Sequence, residues 1–344
     1  MTSMPTAIQH RTLAFQPNER NVFFHILTAC NLACCHCYIN PEQHGTITLP
    51  AETIAAWLKL FIDPAKRTNL IFLGGEPTLH PGLPAAIRTA RALGYHSITV
   101  DTNGFLHHDL LHQITPAEAV LSFSLDGPTP EVNDPLRGQG VFATCTANLA
   151  RAVAMGFEVS VIYTVSARNI DHLAAMPRLL HGLGVSHFFI QVIGLRGRSA
   201  AETRDGADPL QITPEAWLAT VPPVADEAAR LGIHCIFPKV YLDQDEPFAC
   251  AGMVAENFFI FPNGRVYRCP LCEDYPINAY QIVNNTLTPR EGLTETNFFS
   301  LAIPEGCVMN KLLQPGSIEY TAAGQPSHRI SCCLLKQEAI AQVA

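Results

Sequence analysis

Apolar residues along this chain recur in short runs, each followed by an amphipathic stretch. NVFFHIL (21–27) is short, apolar and rich in β formers, which predicts a buried strand. Leu49-Pro50-Ala51-Glu52 then opens an amphipathic helix through Phe61. NLIFL (69–73) predicts the next strand, and the helix expected over 84–93 is closed by Gly94 at a C-cap position. SITVD (97–101), AVLSFSL (119–125), FEVSVIYTV (157–165) and SHFFIQVI (186–193) continue the strands. Helices are expected over 142–155, ending at Gly156, and over 169–181, ending near Gly182 or Gly184. A helix over 214–231 and a strand over 233–237 complete the alternation. Strand–helix alternation of this kind implies right-handed βαβ units and a parallel sheet. Six strands are too few for an eight-stranded barrel. The expected fold is therefore α/β, a partial (β/α)6 TIM-like barrel, with an open doubly wound sheet as the structural alternative.

Three stretches stand outside this pattern. Residues 1–21 are polar and irregular, an N-terminal tail or short edge element, and 195–213 read as a long polar connection. From about residue 246 the alternation stops and cysteines accumulate. The expected organisation is a tail (1–21), a partial barrel (22–245) and a small cysteine-rich domain (246–344).

Composition narrows the class. With 48% hydrophobic and 15% charged residues among 344, the chain can bury a large core, which excludes disordered, coiled-coil and collagen-like classes. A net charge of −8 without a basic run argues against nucleic-acid binding through general attraction. No run reaches 18 apolar residues, so no membrane span is expected, and the first twenty residues lack a signal pattern. A cytoplasmic protein is expected. Its twelve cysteines fall into two groups, Cys30/Cys34/Cys35/Cys37 and Cys250/Cys269/Cys272/Cys307/Cys332/Cys333, with Cys145 and Cys235 apart. In a reducing compartment, clustered cysteines point to metal or catalysis before disulfides.

The first group reads Cys30-Asn-Leu-Ala-Cys34-Cys-His-Cys37-Tyr38, directly after the first strand. Three thiolates so spaced can converge on one metal centre. On a four-iron cluster they leave one iron open for a non-protein ligand. A zinc site completed by Cys35 or His36 is the alternative, because thiolate softness suits both. Cys35 and His36 are otherwise read as bystanders, since adjacent residues on a tight loop point apart.

Further polar motifs close the later strands. Gly74-Gly75-Glu76-Pro77 offers close backbone approach and a carboxylate that can accept from an ammonium; an ordinary glycine-rich turn is the alternative. Asp101-Thr-Asn-Gly104 ends the third strand, and alternation puts Ser122, Ser124 and Asp126 on one face, lining a ligand site or forming a satisfied network. Arg137-Gly138-x-Gly140 brings a guanidinium that can hold a carboxylate or another anion, or sit in an ion pair. The C-terminal ends of strands are where α/β barrels assemble their sites.

Over about 22–198 these motifs resemble the radical S-adenosylmethionine enzymes. The resemblance implies that Cys30, Cys34 and Cys37 hold a [4Fe–4S] cluster whose open iron binds the amino and carboxylate groups of S-adenosylmethionine. It implies that Gly74, Gly75 and Glu76 contact the methionine amino group, that Ser124 and Asp126 belong to the cofactor pocket, and that Arg137 and Phe142 match an R-G-x-G-x-F segment. It further implies reductive cleavage to a 5′-deoxyadenosyl radical that removes hydrogen from a substrate, fed by a donor such as flavodoxin or ferredoxin. No side chain is assigned as catalytic.

In the C-terminal part, residues 256–268 read as a hairpin turning at Asn263-Gly264, which carries Cys250 and Cys269 towards each other and adds Cys272. A structural zinc knuckle is the alternative. The layout resembles the opening of SPASM and twitch domains, which bind auxiliary iron–sulfur clusters. The later C-x2-C-x5-C-x3-C run of a full SPASM domain is missing. One auxiliary [4Fe–4S] cluster is therefore implied, with Cys250, Cys269, Cys272 and one of Cys307, Cys332 and Cys333 as ligands, Cys332 being taken here. Pro270 stands where anaerobic sulfatase maturases, which resemble this layout, carry an Asp base. Peptide or protein modification is the expected function. A small molecule or cofactor precursor is the alternative substrate, since only about twenty residues precede the first strand where many peptide maturases carry a recognition domain. A non-catalytic electron carrier or zinc regulator is the reading of another class.

Overall fold

The computed structural model describes residues 8–200, 210–243 and 245–341. Seven parallel strands form its centre: β2 (Glu19–His25), β3 (Arg67–Leu73), β4 (Ser97–Thr102), β5 (Val120–Ser124), β6 (Val159–Val165), β7 (His187–Val192) and β8 (His234–Pro238), paired in chain order. Alternation divides each strand between two environments. Val22 and Phe24, Leu70 and Phe72, Ile98 and Val100, Leu121 and Phe123, Val159 and Val161 are all buried. They join one core with the apolar stripes of α1 (Ala51–Phe61), α2 (Leu83–Leu93), α4 (Val141–Ala154) and α6 (Pro214–Arg230). The opposite face carries His25, Asp101, Ser124, Thr164 and Gln191 and lines a chamber. This is the α/β arrangement the βα alternation predicts.

Several elements differ in detail from the sequence pattern. The helix expected over 169–181 is a 3-10 turn, Ile170–Ala175, followed by α5 (Met176–Gly182). Pro177 accounts for the change, because it lacks an N–H and its ring crowds the preceding turn. A helix the pattern did not predict, α3 (Pro130–Arg137), lies between β5 and α4. Its prolines at 130 and 135 hide any helical period. Ile8–Leu13 form an edge strand, β1, and the connection over 195–213 falls partly outside the described residues.

The residues after 246 continue the same sheet at both edges. β10 (Glu256–Ile260) pairs in parallel with β2, and β11 (Arg265–Tyr267) turns back from it at Gly264, whose φ is 82°. β12 (Tyr280–Val283) and β13 (Thr286–Pro289) extend this edge beyond β11, while β9 (Tyr241–Leu242) and β14 (Arg329–Ile330) pair with each other. At the other edge β15 (Lys336–Ala341) lies antiparallel between β8 and β1. Cys272 and Cys307 sit in a second apolar cluster with Phe259, Phe261, Leu271 and Met309, and Cys250, Cys269 and Cys333 pack against it.

Candidate active site

The loop from β2 to α1 carries the first cysteine group and is held by four backbone hydrogen bonds from three other segments. Gly75 N–H donates to Leu27 O and Glu76 N–H to Ala29 O, each at 3.0 Å. Cys35 N–H donates to Leu136 O at 3.0 Å, and Arg198 N–H to Cys37 O at 2.9 Å. The glycines of the Gly74-Gly75 pair serve this docking. A Cβ on Gly75 would lie 2.3 Å from Ala29 O and one on Gly74 2.7 Å from Leu27 O. The close approach the sequence suggests is thus made by the cysteine loop itself.

Tyr38 completes the hold. Burial lowers the pKa of His25 to about 3, so its ring is neutral; Nδ1–H donates to Ile260 O at 2.9 Å and Nε2 accepts from the Tyr38 hydroxyl at 2.7 Å. Phe261 stacks between His25 and His44, at 4.1 and 3.8 Å between ring centroids. The residue next to Cys37 is thereby tied to β10.

Cys30, Cys34 and Cys37 all open on the chamber, whose volume is about 630 Å³, together with Gly74, Gly75, Glu76, Ser124 and Arg137. Leu32 N–H points at Cys30 Sγ from 3.4 Å and Asn103 Nδ2 from 3.7 Å. Burial pushes the Cys30 thiol up to about 11 and raises Cys34 as well. Such thiols ionise at neutral pH only when a positive centre displaces their protons. Three soft donors of one loop open on the same chamber, and two N–H groups point at the Cys30 sulfur. Such a donor set suits an iron–sulfur cluster that would draw the thiolates together, since among the described residues only Cys269, Cys272 and Glu295 already lie within 4.8 Å of one another.

Glu76 is buried and receives four donors, three on one oxygen and one on the other. Its Oε1 accepts from Thr78 N–H at 3.0 Å, the Thr78 hydroxyl at 2.6 Å and the Thr102 hydroxyl at 2.9 Å, and Oε2 accepts from Asn103 N–H at 2.7 Å. It caps the 3-10 turn Pro77–Leu79 and faces the chamber at the same time. Burial raises its pKa, with these hydrogen bonds opposing.

Asp126 has a different place from the one its motif suggests. It lies behind the chamber wall, where Oδ1 accepts from Thr164 N–H at 2.7 Å. Oδ2 pairs with Arg137 Nε at 2.6 Å and His36 Nε2 at 3.0 Å. Burial opposes its ionisation, yet Arg137 and His36 hold the carboxyl down at about 2. Arg137 is therefore a buried, paired cation, and His36, read as a bystander, is one of its neighbours in the wall. Asp101 is a further chamber residue. Burial pushes its carboxyl up to about 7, the Ser122 hydroxyl opposing and nearby Glu76 adding.

Of the six C-terminal cysteines, Cys250, Cys269, Cys307, Cys332 and Cys333 line one small cavity. Cys272 sits beside Cys269 on its flank, and Cys269 Sγ, Cys272 Sγ and a Glu295 oxygen lie within 4.8 Å of one another. Glu295 also accepts from the N–H groups of Arg268, Cys269 and Ala279 at 2.7, 3.0 and 3.1 Å. Arg196 bridges the two cysteine regions, pairing with Glu273 and donating to Pro270 O at 2.7 Å beneath the Tyr38 ring. Pairing of residues so far apart leaves no signature in local sequence.

Comparison with known proteins bears on this geometry. Residues 25–180 match the Radical SAM superfamily. Mycofactocin maturase MftC of Mycobacterium ulcerans (strain Agy99) is 32% identical over 274 residues, 76% of this chain and 69% of that protein. Its counterpart in Mycobacterium tuberculosis (strain ATCC 25618 / H37Rv) is 28% identical, and the match covers 66% of that protein's length. AdoMet-dependent heme synthase of Oleidesulfovibrio alaskensis is 29% identical over 189 residues, 54% of this chain and 48% of that protein. Among solved structures, Streptococcus suis SuiB shares the fold with a TM-score of 0.60 at 14% identity, over 79% of this chain and 63% of its own. In complex with precursor peptide SuiA it scores 0.53 at 12% identity, over 89% and 66%. The chain thus spans about two thirds of the length of the maturases and of SuiB. With the strand-end motifs gathered on one chamber and these relatives beside it, the chain belongs to the radical S-adenosylmethionine superfamily, whose members use a [4Fe–4S] cluster and S-adenosylmethionine.

Proposed function

We propose that this enzyme cleaves S-adenosylmethionine reductively and uses the resulting radical to modify a peptide or protein. The observation that carries the reading is the shared chamber: three cysteines of one loop, Glu76, Ser124 and Arg137 line one half-open volume. Cys30, Cys34 and Cys37 would hold the cluster, which when bound with S-adenosylmethionine supplies the electron that releases a 5′-deoxyadenosyl radical. The chain's own residues bind and orient. Glu76 has one remaining acceptor direction on Oε2 for the methionine ammonium. Asp126 fixes Arg137 and His36 in the wall, so neither swings into the space the cofactor needs. The apolar wall beyond, with Phe189, Ile193 and Trp217, excludes water from a reactive radical.

The C-terminal thiols would hold one auxiliary [4Fe–4S] cluster, four of the six serving as ligands in an apolar shell. An electron donor of the flavodoxin or ferredoxin type completes the system. A peptide substrate is supported by the maturase relatives. A small-molecule substrate is the second reading, supported by the similarity to a heme synthase. Anaerobic reconstitution with S-adenosylmethionine and dithionite tests the activity: 5′-deoxyadenosine should form. Stimulation of that yield by a candidate peptide, but by no small metabolite, would favour the first substrate class. Absence of 5′-deoxyadenosine from an iron-replete enzyme would overturn the proposal.

A further inference from the structure

The chamber extends past the cofactor residues to a wall built by Asn310, Ser331 and Lys336, with Phe189, Trp217 and Tyr241 around it. Lys336 opens β15 and stands opposite Pro238 in the sheet. Its Nζ donates to Cys333 O at 3.1 Å and lies 4.5 Å from the centre of the Phe189 ring. Among the described residues no carboxylate lies within 4 Å of it. An ammonium carries three donors, and one is engaged. A cation enclosed this way without a counter-ion is costly, which points to an anion brought by a ligand.

Two further polar atoms on this wall lack a partner: Ser331 Oγ and Asn310 Oδ1 are buried and make no hydrogen bond. The topology sets them near Lys336. Ser331 N–H donates to Val240 O at 2.8 Å, two residues beyond the Pro238 that faces Lys336. Asn310 belongs to the short helix Val308–Leu313, whose cap, Cys307, donates to Ile330 O at 3.0 Å. The charge of the chamber limits the anion. Arg137 is engaged by Asp126 and Arg196 by Glu273, which leaves Lys336 as the one lysine or arginine of the chamber wall, among the described residues, without an acidic partner. A single ammonium with a hydroxyl matches a carboxylate. A phosphate would bring about two charges and three strong acceptors.

We propose that Lys336 anchors a carboxylate of the substrate, that Ser331 completes its hydrogen bonding, and that the substrate's apolar body lies against Phe189, Trp217 and Tyr241. This rests on the reading that the chamber receives substrate as well as S-adenosylmethionine. The competing role for Lys336 is to offset negative charge on the neighbouring Cys332 and Cys333 thiolates.

Equilibrium dialysis of the reconstituted enzyme, with S-adenosylmethionine present, separates the two. The probes are N-acetylphenylalanine, its carboxamide, and N-acetylglutamic acid α-amide. At least one of the two acids should bind about tenfold or more tightly than the carboxamide. N-acetylphenylalanine winning would indicate a chain-end carboxylate, and the glutamate derivative an acidic side chain. Lys336→Met should abolish the preference, Lys336→Arg should keep part of it, and Ser331→Ala should reduce it severalfold. Acids and amide binding alike would overturn the proposal. So would an undiminished preference in Lys336→Met, above all if the potential of the C-terminal cluster shifts instead. Should Lys336→Met fail to retain iron, unchanged preference in both Lys336→Arg and Ser331→Ala would overturn it equally. Lack of 5′-deoxyadenosine formation would remove the proposed reaction and leave the dialysis result standing, so the two failures are distinct.

Discussion

Replacing Glu76 with Ala should damage the protein twice, and the two effects can be read separately. Four donors converge on this carboxylate: the N–H groups of Thr78 and Asn103 and the hydroxyls of Thr78 and Thr102. The hydroxyls can turn to other acceptors, but the two buried N–H groups cannot. Each buried donor left unsatisfied costs about 1–3 kcal/mol, and the Thr78 N–H bond is also the helix cap. The loss of stability is therefore about 2–6 kcal/mol. With about 2 cal/mol/K per residue of unfolding entropy, that lowers Tm by about 3–8 °C. The second effect is on the cofactor. A charge-assisted hydrogen bond to the methionine ammonium is worth about 1.5–3 kcal/mol, so affinity for S-adenosylmethionine should fall ten- to a hundredfold. Glu76→Gln is the companion variant. It keeps one carbonyl acceptor and removes the charge, so it should lose affinity with a smaller change in Tm. Melting curves and isothermal titration on reconstituted protein measure both quantities. A lowered Tm with unchanged affinity in both variants would refute the role in binding and leave Glu76 as a turn cap.

Three further outcomes follow from the same geometry. Reconstituted protein should carry about eight irons per chain, and changing Cys30, Cys34 and Cys37 together to Ala should remove about half; full iron in that variant, or zinc in the native protein, would contradict the cluster assignment. Arg137→Ala should destabilise by about 3–5 kcal/mol, because it strands the buried Asp126 carboxylate, and adding Asp126→Asn should recover part of that loss in chemical denaturation. Asp101 has a folded pKa near 7 against an ordinary value of 3.8, so its contribution to stability is present below about pH 4 and lost as pH rises to 7. Asp101→Asn should flatten that part of the pH–stability profile of the cluster-free protein, and an unchanged profile would show that Asp101 is not buried as described.

Much of the frame was legible because its signals are local. Short apolar runs with glycine-closed helices gave the parallel strands, spacing drew attention to the cysteine loop, and the resemblance to a family singled out Cys30, Cys34 and Cys37 and the Glu76 loop. What escaped depends on residues distant in the chain. Nothing near Glu76 announces that Thr102 and Asn103 will fill its oxygens. Alternation put Asp126 on the face of Ser122 and Ser124, but the helix Pro130–Arg137 brings Arg137 over it and turns it into a support for the wall. The Gly74-Gly75 pair was legible as a close approach, while its partner, the Ala29 carbonyl, was not. The spacing of the C-terminal cysteines could not rank them, since Cys307, Cys332 and Cys333 reach Cys250 and Cys269 only through the return of the chain to the β8 edge. Lys336 carries no motif at all and becomes visible only once β15 sets it in the chamber.

The central claim is that the cluster on Cys30, Cys34 and Cys37 presents an open iron to S-adenosylmethionine. Electron paramagnetic resonance of dithionite-reduced protein tests it most directly, in a variant with all six C-terminal cysteines changed to Ser and in the Cys30/Cys34/Cys37→Ala variant. The first should keep about four irons, and its spectrum should change when S-adenosylmethionine is added. The second should show a signal that the cofactor leaves untouched. A spectrum indifferent to S-adenosylmethionine in the first variant, or a responsive one in the second, would contradict the account.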